Sequence, residues 1–237
     1  MKLSFVIPAH NEEAYISDCL NSILTVVKDR SDDWEIIVVN NASTDRTKAV
    51  AAAFPGVKVV DEPDKGLTKA RQKGLDEAKG EWLAYLDADT RLSENWLNRL
   101  RQAMEQNNKM VCYSGPYRYY DASKIREKIL NLLWQLSAPV TYRLVGYMIL
   151  GGNCVVKKEA LLAIGGFDTT IKFYGEDTNL ARRLHRFGDV IFDMKFFIYS
   201  SSRRFKDQGL IKTSAIYALN FLWEVIFHRP FTRTYIL

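Results

Sequence analysis

Trp82-Leu83-Ala84-Tyr85-Leu86-Asp87-Ala88-Asp89 is an apolar run that stops on two carboxylates, shortly before a helix-like stretch that opens near Glu94. A short, continuous apolar run of this kind reads as a strand buried on both faces. Its exit carries Asp at i and i+2, a hard-oxygen pair suited to magnesium or manganese, and such cations readily share their shell with phosphate oxygens. The pair therefore points to a diphosphate ligand. The same residues also suit an ordinary strand-to-helix turn, where Asp caps the helix that follows, so the surrounding sequence has to decide.

Working outward, strand-like runs alternate with helical patterns. The order is a strand over 3–7, a helix from about 12 to 27, a strand over 35–39, a helix near 45–53, a short strand over 57–60 and a helix near 67–78. Continuous apolar strands with intervening helices predict an α/β fold, a single Rossmann-like domain with a mostly parallel central sheet flanked by helices. In such sheets ligands bind beyond the carboxyl ends of the strands. Pro8-Ala9-His10-Asn11-Glu12, Asn40-Asn41-Ala42-Ser43-Thr44-Asp45 and Asp87-Ala88-Asp89 are therefore expected to line one pocket.

The 237 residues are 47% apolar, enough for one sizeable core. Lys and Arg number 33 against 28 Asp and Glu, a net charge of +5 with no block of like charges. That excess suits phosphate or an anionic membrane surface and gives no reason to expect nucleic acid. Cys19, Cys112 and Cys154 are odd in number and far apart, which argues against a disulfide framework or a zinc site and fits a cytoplasmic protein. The opening apolar run is too short for a signal peptide and reads as the first strand.

Residues 206–237 are expected to form a C-terminal amphipathic helical tail. Within 211–227, Thr213, Tyr217, Asn220 and Glu224 continue to His228 as a narrow polar stripe beside a broad apolar face. A second apolar stretch, 129–150, is interrupted by Pro139 and carries Arg143. Both fall short of a membrane span. With Arg229 and Arg233 they suggest peripheral attachment at the inner face of the cell membrane. A helix covering the sheet, or a homodimer interface, is the alternative.

Val6-Ile7-Pro8-Ala9-His10-Asn11-Glu12-Glu13, Val38-Val39-Asn40-Asn41-Ala42-Ser43-Thr44-Asp45, Leu86-Asp87-Ala88-Asp89 and Gly175-Glu176-Asp177-Thr178-Asn179-Leu180 resemble, in order, the signatures of family 2 glycosyltransferases. The resemblance covers residues 3 to about 205. It implies a GT-A glycosyltransferase domain over 1–205, with a nucleotide-binding half over about 1–110 and an acceptor half over about 111–205. It further implies a nucleotide-sugar donor, a glycan or lipid-linked acceptor, a divalent cation (Mg2+ or Mn2+) and inverting transfer in the synthesis of a cell-surface glycan or glycolipid.

Residue by residue, the resemblance puts Pro8, Ala9 and Glu12 around the nucleotide base and ribose. Asn41, with Asn40 before it, stands where many relatives carry aspartates that reach the base; an amide keeps an acceptor and a donor but loses the charge. Arg71 matches a basic residue that approaches the donor, Asp89 the principal metal ligand, and Asp87 a residue that touches ribose or supports the metal. Asp177 matches the general base, with Glu176 orienting the acceptor or raising the pKa of the base. Gly152 and Asn153 match the acceptor-side loop, and acceptor specificity is expected in loops such as 113–120. Arg203 and Arg204 stand where processive relatives carry Gln-x-x-Arg-Trp, which is absent, so they are expected to steady the leaving group rather than to signal polymer synthesis.

Other readings remain at this point. Asn11, Glu176 and Asp177 all suit helix starts in their own right. A nucleotidyltransferase would also join a sheet, a nucleotide and a metal, though it would normally carry a glycine-rich basic loop after the first strand. A catalytically degenerate sugar-nucleotide binding protein has Asn40 and Asn41 in its favour.

Overall fold

The structure, a computed structural model, describes residues 2–28 and 33–232. Along the chain run β1 (Lys2–Ala9), α1 (Ile16–Val27), β2 (Asp33–Asn41), α2 (Thr47–Ala52), β3 (Val57–Glu62), α3 (Leu67–Glu77) and β4 (Trp82–Leu86). Then come β5 (Thr90–Leu92), α4 (Trp96–Gln106), β6 (Met110–Ser114), β7 (Tyr117–Tyr119), α5 (Lys124–Val145), β8 (Asn153–Lys157) and α6 (Lys158–Ala163). The last are α7 (Glu176–Leu184), β9 (Asp189–Phe192), β10 (Ile198–Ser200), α8 (Arg203–Gln208) and α9 (Leu210–Phe227).

Seven strands form one sheet in the order β3-β2-β1-β4-β8-β6-β9. Its ladders are parallel except where β8 runs antiparallel between β4 and β6. The strand period of two sends successive residues of β1 to opposite faces. Phe5 and Ile7 enter the layer under α1 and α4 with Trp96 and Leu100, while Val6 enters the layer under α3 and α7 with Ala70, Leu75 and Leu184. Both faces are thus covered, as a mostly parallel sheet requires.

Two helices start later than their periodicity predicts, for one reason. Glu12 N–H donates to Thr47 Oγ1 and Glu13 N–H to Asp45 Oδ2, so residues 12–15 serve the neighbouring loop as turns and α1 begins at Ile16. Asp45 accepts from the Thr47 N–H at 2.9 Å, which places it just ahead of α2 rather than inside it.

A small second sheet, β5-β10-β7, closes over the carboxyl end of β4. It replaces the expected acceptor loop at 113–120. Tyr113 and Tyr119 pack inside, Tyr113 against Phe196 with ring centroids 4.3 Å apart, so these aromatics are part of the packing.

The C-terminal helix docks by its polar stripe. Thr213, Asn220 and Glu224 are buried, and Glu224 Oε1 accepts from Asn179 and Arg182 of α7 at 3.0 and 3.1 Å. Leu219, Leu222, Ile226 and Phe227 face outward. Among the described residues, no helix is long and apolar enough to cross a membrane. Arg233 lies outside the described residues.

Candidate active site

The first two strand-exit loops are bolted together at the carboxyl end of the sheet. Asn11 N–H donates to Ser43 Oγ, Asn11 Oδ1 accepts from Thr44 N–H, and His10 Nδ1 lies 2.7 Å from the Asn41 carbonyl. Asn11 (φ 55°) and Ala42 (φ 52°) hold left-handed backbone that non-glycine residues adopt at a cost, which this lattice of bonds sustains. The result is a rigid shelf at the end of β1, where Pro8 and Ala9 lie. Beside it, a cleft of about 470 Å³ opens between the start of α3 and residues 169–172, with Lys65, Lys69 and Lys172 in its lining.

Asp87 and Asp89 leave β4 under this shelf. Asp87 Oδ2 accepts from the Tyr117 hydroxyl at 3.3 Å, and the Tyr120 hydroxyl donates to the Asp89 carbonyl at 3.4 Å. Burial, then the Asp87 charge, pushes the Asp89 carboxyl up to about 7. Its counter-ion here is Arg203 of α8, whose Nε is 3.3 Å from Asp89 Oδ2 and whose NH2 also pairs with Glu12 Oε1. Glu12 is pushed up mainly by burial, and its Oε2 is buried with no hydrogen-bond partner.

Arg71 joins this carboxylate pair to a second one. The guanidinium is 2% exposed, with NH1 at 2.6 Å from Glu176 Oε2 and NH2 at 3.5 Å from Asp87 Oδ1. Glu176 and Asp177 open α7 behind Gly175, in a left-handed conformation (φ 81°) that glycine takes freely. Asp177 Oδ1 accepts from Thr178 N–H at 2.7 Å and from its hydroxyl, and burial raises the carboxyl above its ordinary value. Acids at a helix N-terminus are favoured by the dipole, yet here Glu176 also closes on a buried cation that reaches Asp87.

Two carboxylates offering hard oxygens at Asp87 and Asp89 fit a divalent cation as a partial shell. No third His, Cys, Asp or Glu joins them among the described residues, so phosphate and water would have to complete the coordination.

Residues 4–165 match the family model for glycosyl transferase family 2. The chain belongs to that family. The probable glycosyltransferase YdaM of Bacillus subtilis (strain 168) is 28% identical over 210 residues, 83% of this chain and 49% of that protein. The poly-beta-1,6-N-acetyl-D-glucosamine synthase of Staphylococcus epidermidis is 28% identical over 194 residues, 78% of this chain and 46% of the synthase. The chain spans between 33% and 49% of the length of the first curated relatives it matches. Among solved structures, the mannosyltransferase PcManGT from Pyrobaculum calidifontis in complex with GDP-Man and Mn2+ superimposes with a TM-score of 0.70 at 20% identity, covering 94% of this chain and 62% of that one. S. aureus TarS 1–349 in complex with UDP-GlcNAc gives 0.65 at 18% identity, over 95% and 64%. At these identities the likeness establishes the GT-A fold.

Four of the residues that the resemblance singles out make the following contacts. Asn153 is fully buried: its Nδ2 donates to the Gly115 and Phe196 carbonyls and its Oδ1 accepts from Trp96 Nε1, so it knots the core and does not face an acceptor. Gly152 backs Asp87, since a Cβ there would lie 2.0 Å from Asp87 Oδ2. Asn41 spends both amide protons on the Glu62 and Asp64 carbonyls and accepts from the Gly66 N–H with its oxygen, which fixes the start of α3 and leaves one acceptor lone pair on Oδ1. Arg71 is buried between Asp87 and Glu176.

Sequence reasoning missed Tyr117 and Tyr120, which set Asp87 and the Asp89 backbone. No motif marks them, and only the closure of the small sheet brings them in. Arg204, expected beside Arg203, turns away from Asp89 to the Tyr217 hydroxyl and lies 4.5 Å over the Phe173 ring.

Proposed function

We propose that this chain transfers a sugar from a nucleoside-diphosphate sugar to an acceptor hydroxyl in a single inverting displacement. The observation that carries the reading is the buried Arg71, which ties the carboxylate pair at the end of β4 to the pair opening α7. Two acidic groups from different elements are thereby held on one buried cation.

In this reading the shelf of Pro8 and Ala9 receives the base, and the unpartnered Glu12 Oε2 accepts from a ribose hydroxyl. Asp89, with Asp87 beside it, would hold the divalent cation together with the donor's phosphates. When bound, that cation supplies charge neutralisation for the departing nucleoside diphosphate. Arg203, released from Asp89, turns to the same phosphates. Thr178 fixes Asp177 Oδ1, leaving Oδ2 to take the proton of the acceptor hydroxyl as it attacks; the raised pKa makes this carboxylate a stronger base. The acceptor in this reading is a glycan or lipid-linked sugar of the cell surface, met at the inner face of the membrane.

The test is a panel of nucleotide sugars with Mg2+ or Mn2+ and then with chelator, read by thermal shift and by nucleoside diphosphate release. One donor is expected to stabilise the protein only with cation present. Asp177→Asn is expected to keep that stabilisation while transfer falls by about 10²–10⁴-fold. Undiminished turnover in Asp177→Asn would remove the base assignment, and cation-independent transfer would remove the role of Asp89.

A further inference from the structure

α5 carries its apolar residues on the outside. Of its 22 residues only Leu130 and Ala138 are buried. Ile125, Ile129, Leu132, Leu136, Val140 and Leu144 recur every three or four positions and are between 49% and 80% exposed. That spacing puts them on one stripe of the helix, about 29 Å long at 1.5 Å per residue. Chains that need nothing further to cover them rarely leave so long an apolar strip in water.

The charges around the stripe identify what covers it. Lys124, Arg126 and Lys128 stand exposed at one end and Arg143 at the other, against a single acid, Glu127. We propose that α5 lies in the plane of an anionic lipid surface, its stripe sunk into the headgroup boundary and its four bases on the lipid phosphates. A second copy of the helix fits poorly. Parallel pairing sets the basic first turn against itself, and antiparallel pairing sets it against Arg143. An anionic surface neutralises both ends at once.

The connection to the site is short. α5 leaves β7 just after Tyr120, which holds the Asp89 backbone, and returns just before Gly152, which backs Asp87. Docking α5 therefore brings the segments that hold Asp87 and Asp89 close to the bilayer. That it serves a lipid-linked acceptor rests on the transferase reading above; the docking itself does not.

The experiment is co-sedimentation of the protein with vesicles of phosphatidylcholine alone and of phosphatidylcholine with phosphatidylglycerol. Binding is expected with the anionic vesicles only. Lys124→Gln/Arg126→Gln/Lys128→Gln should weaken it about a hundred-fold, as three bases near the surface are neutralised. Leu132→Gln/Leu136→Gln should abolish it, with circular dichroism and the donor-dependent thermal shift unchanged in both variants. Equal partition to neutral vesicles, no partition to either, or a concentration-dependent dimer that Leu136→Gln dissociates would each overturn the proposal. A donor response without vesicle binding sinks the docking alone; vesicle binding without a donor response sinks the transferase reading alone.

Discussion

Arg71→Met tests whether the floor of the site is held by charge. The guanidinium is 2% exposed and Glu176 8% exposed, so neither can borrow water when the other is removed. Breaking such a pair from one side leaves an uncompensated buried charge, at a cost of about 4 kcal/mol. For 237 residues the unfolding entropy is about 0.5 kcal/mol/K, which converts that cost into a fall of about 8 °C in Tm.

The sign of the pH dependence follows from Glu176. Burial pushes it up to about 7 even with Arg71 pulling the other way, above its ordinary 4.5. The folded protein therefore holds this proton more tightly than the unfolded chain. Its contribution is fully present below about 4.5 and is lost as pH rises through about 7. The Arg71→Met deficit should accordingly be largest at pH 8 and shrink towards pH 5.5, where Glu176 takes up a proton. Scanning calorimetry at both pH values reads this, and Arg71→Met/Glu176→Gln should regain about half of the loss at pH 8. A single variant melting within about 1 °C of the parent, or a double variant no better than the single, would refute the argument.

Further outcomes concern the neighbouring groups. Gly152→Ala forces a Cβ to within 2.0 Å of Asp87 Oδ2; isothermal titration should show cation-dependent donor binding lost while the melting curve stays cooperative. Arg203→Met frees Asp89 from its counter-ion, so Mn2+ alone should bind about tenfold more tightly by paramagnetic resonance titration, whereas donor binding weakens. Asn41→Asp restores the family's charge but points a carboxylate at the Glu62 and Asp64 carbonyls; it should destabilise by about 2 kcal/mol in urea unfolding, and an unchanged midpoint would free Asn41 for a role at the base.

The parts of the molecule that were legible in its sequence are those where local pattern and tertiary role coincide. β1, β2 and β4 are buried on both faces, so their apolar runs declare them, and polar residues at their exits mark the site by the geometry of parallel sheets. β5, β7 and β10 are three residues each and take their partners from distant segments, so no local period announces them. The backbone contacts of Asn153 and Asn41 were hidden for a related reason. An asparagine at a strand end reads alike whether its amide meets a ligand or a backbone carbonyl, and only the packed structure shows that the amide protons of both go to backbone carbonyls. The helix α9 was recognised from its polar stripe, but composition could not say that the stripe itself, through Glu224, was the side that docks.

That docking has a mechanical consequence. Glu224 on α9 grips Asn179 and Arg182 on α7, the helix whose first turn carries Asp177. A load applied to α9, whether from a tether, a fused domain or a pulling handle, reaches α7 through these side chains without crossing a loop. The C-terminal helix is therefore coupled directly to α7, so an attachment placed on α9 bears on the helix that Glu176 and Asp177 open.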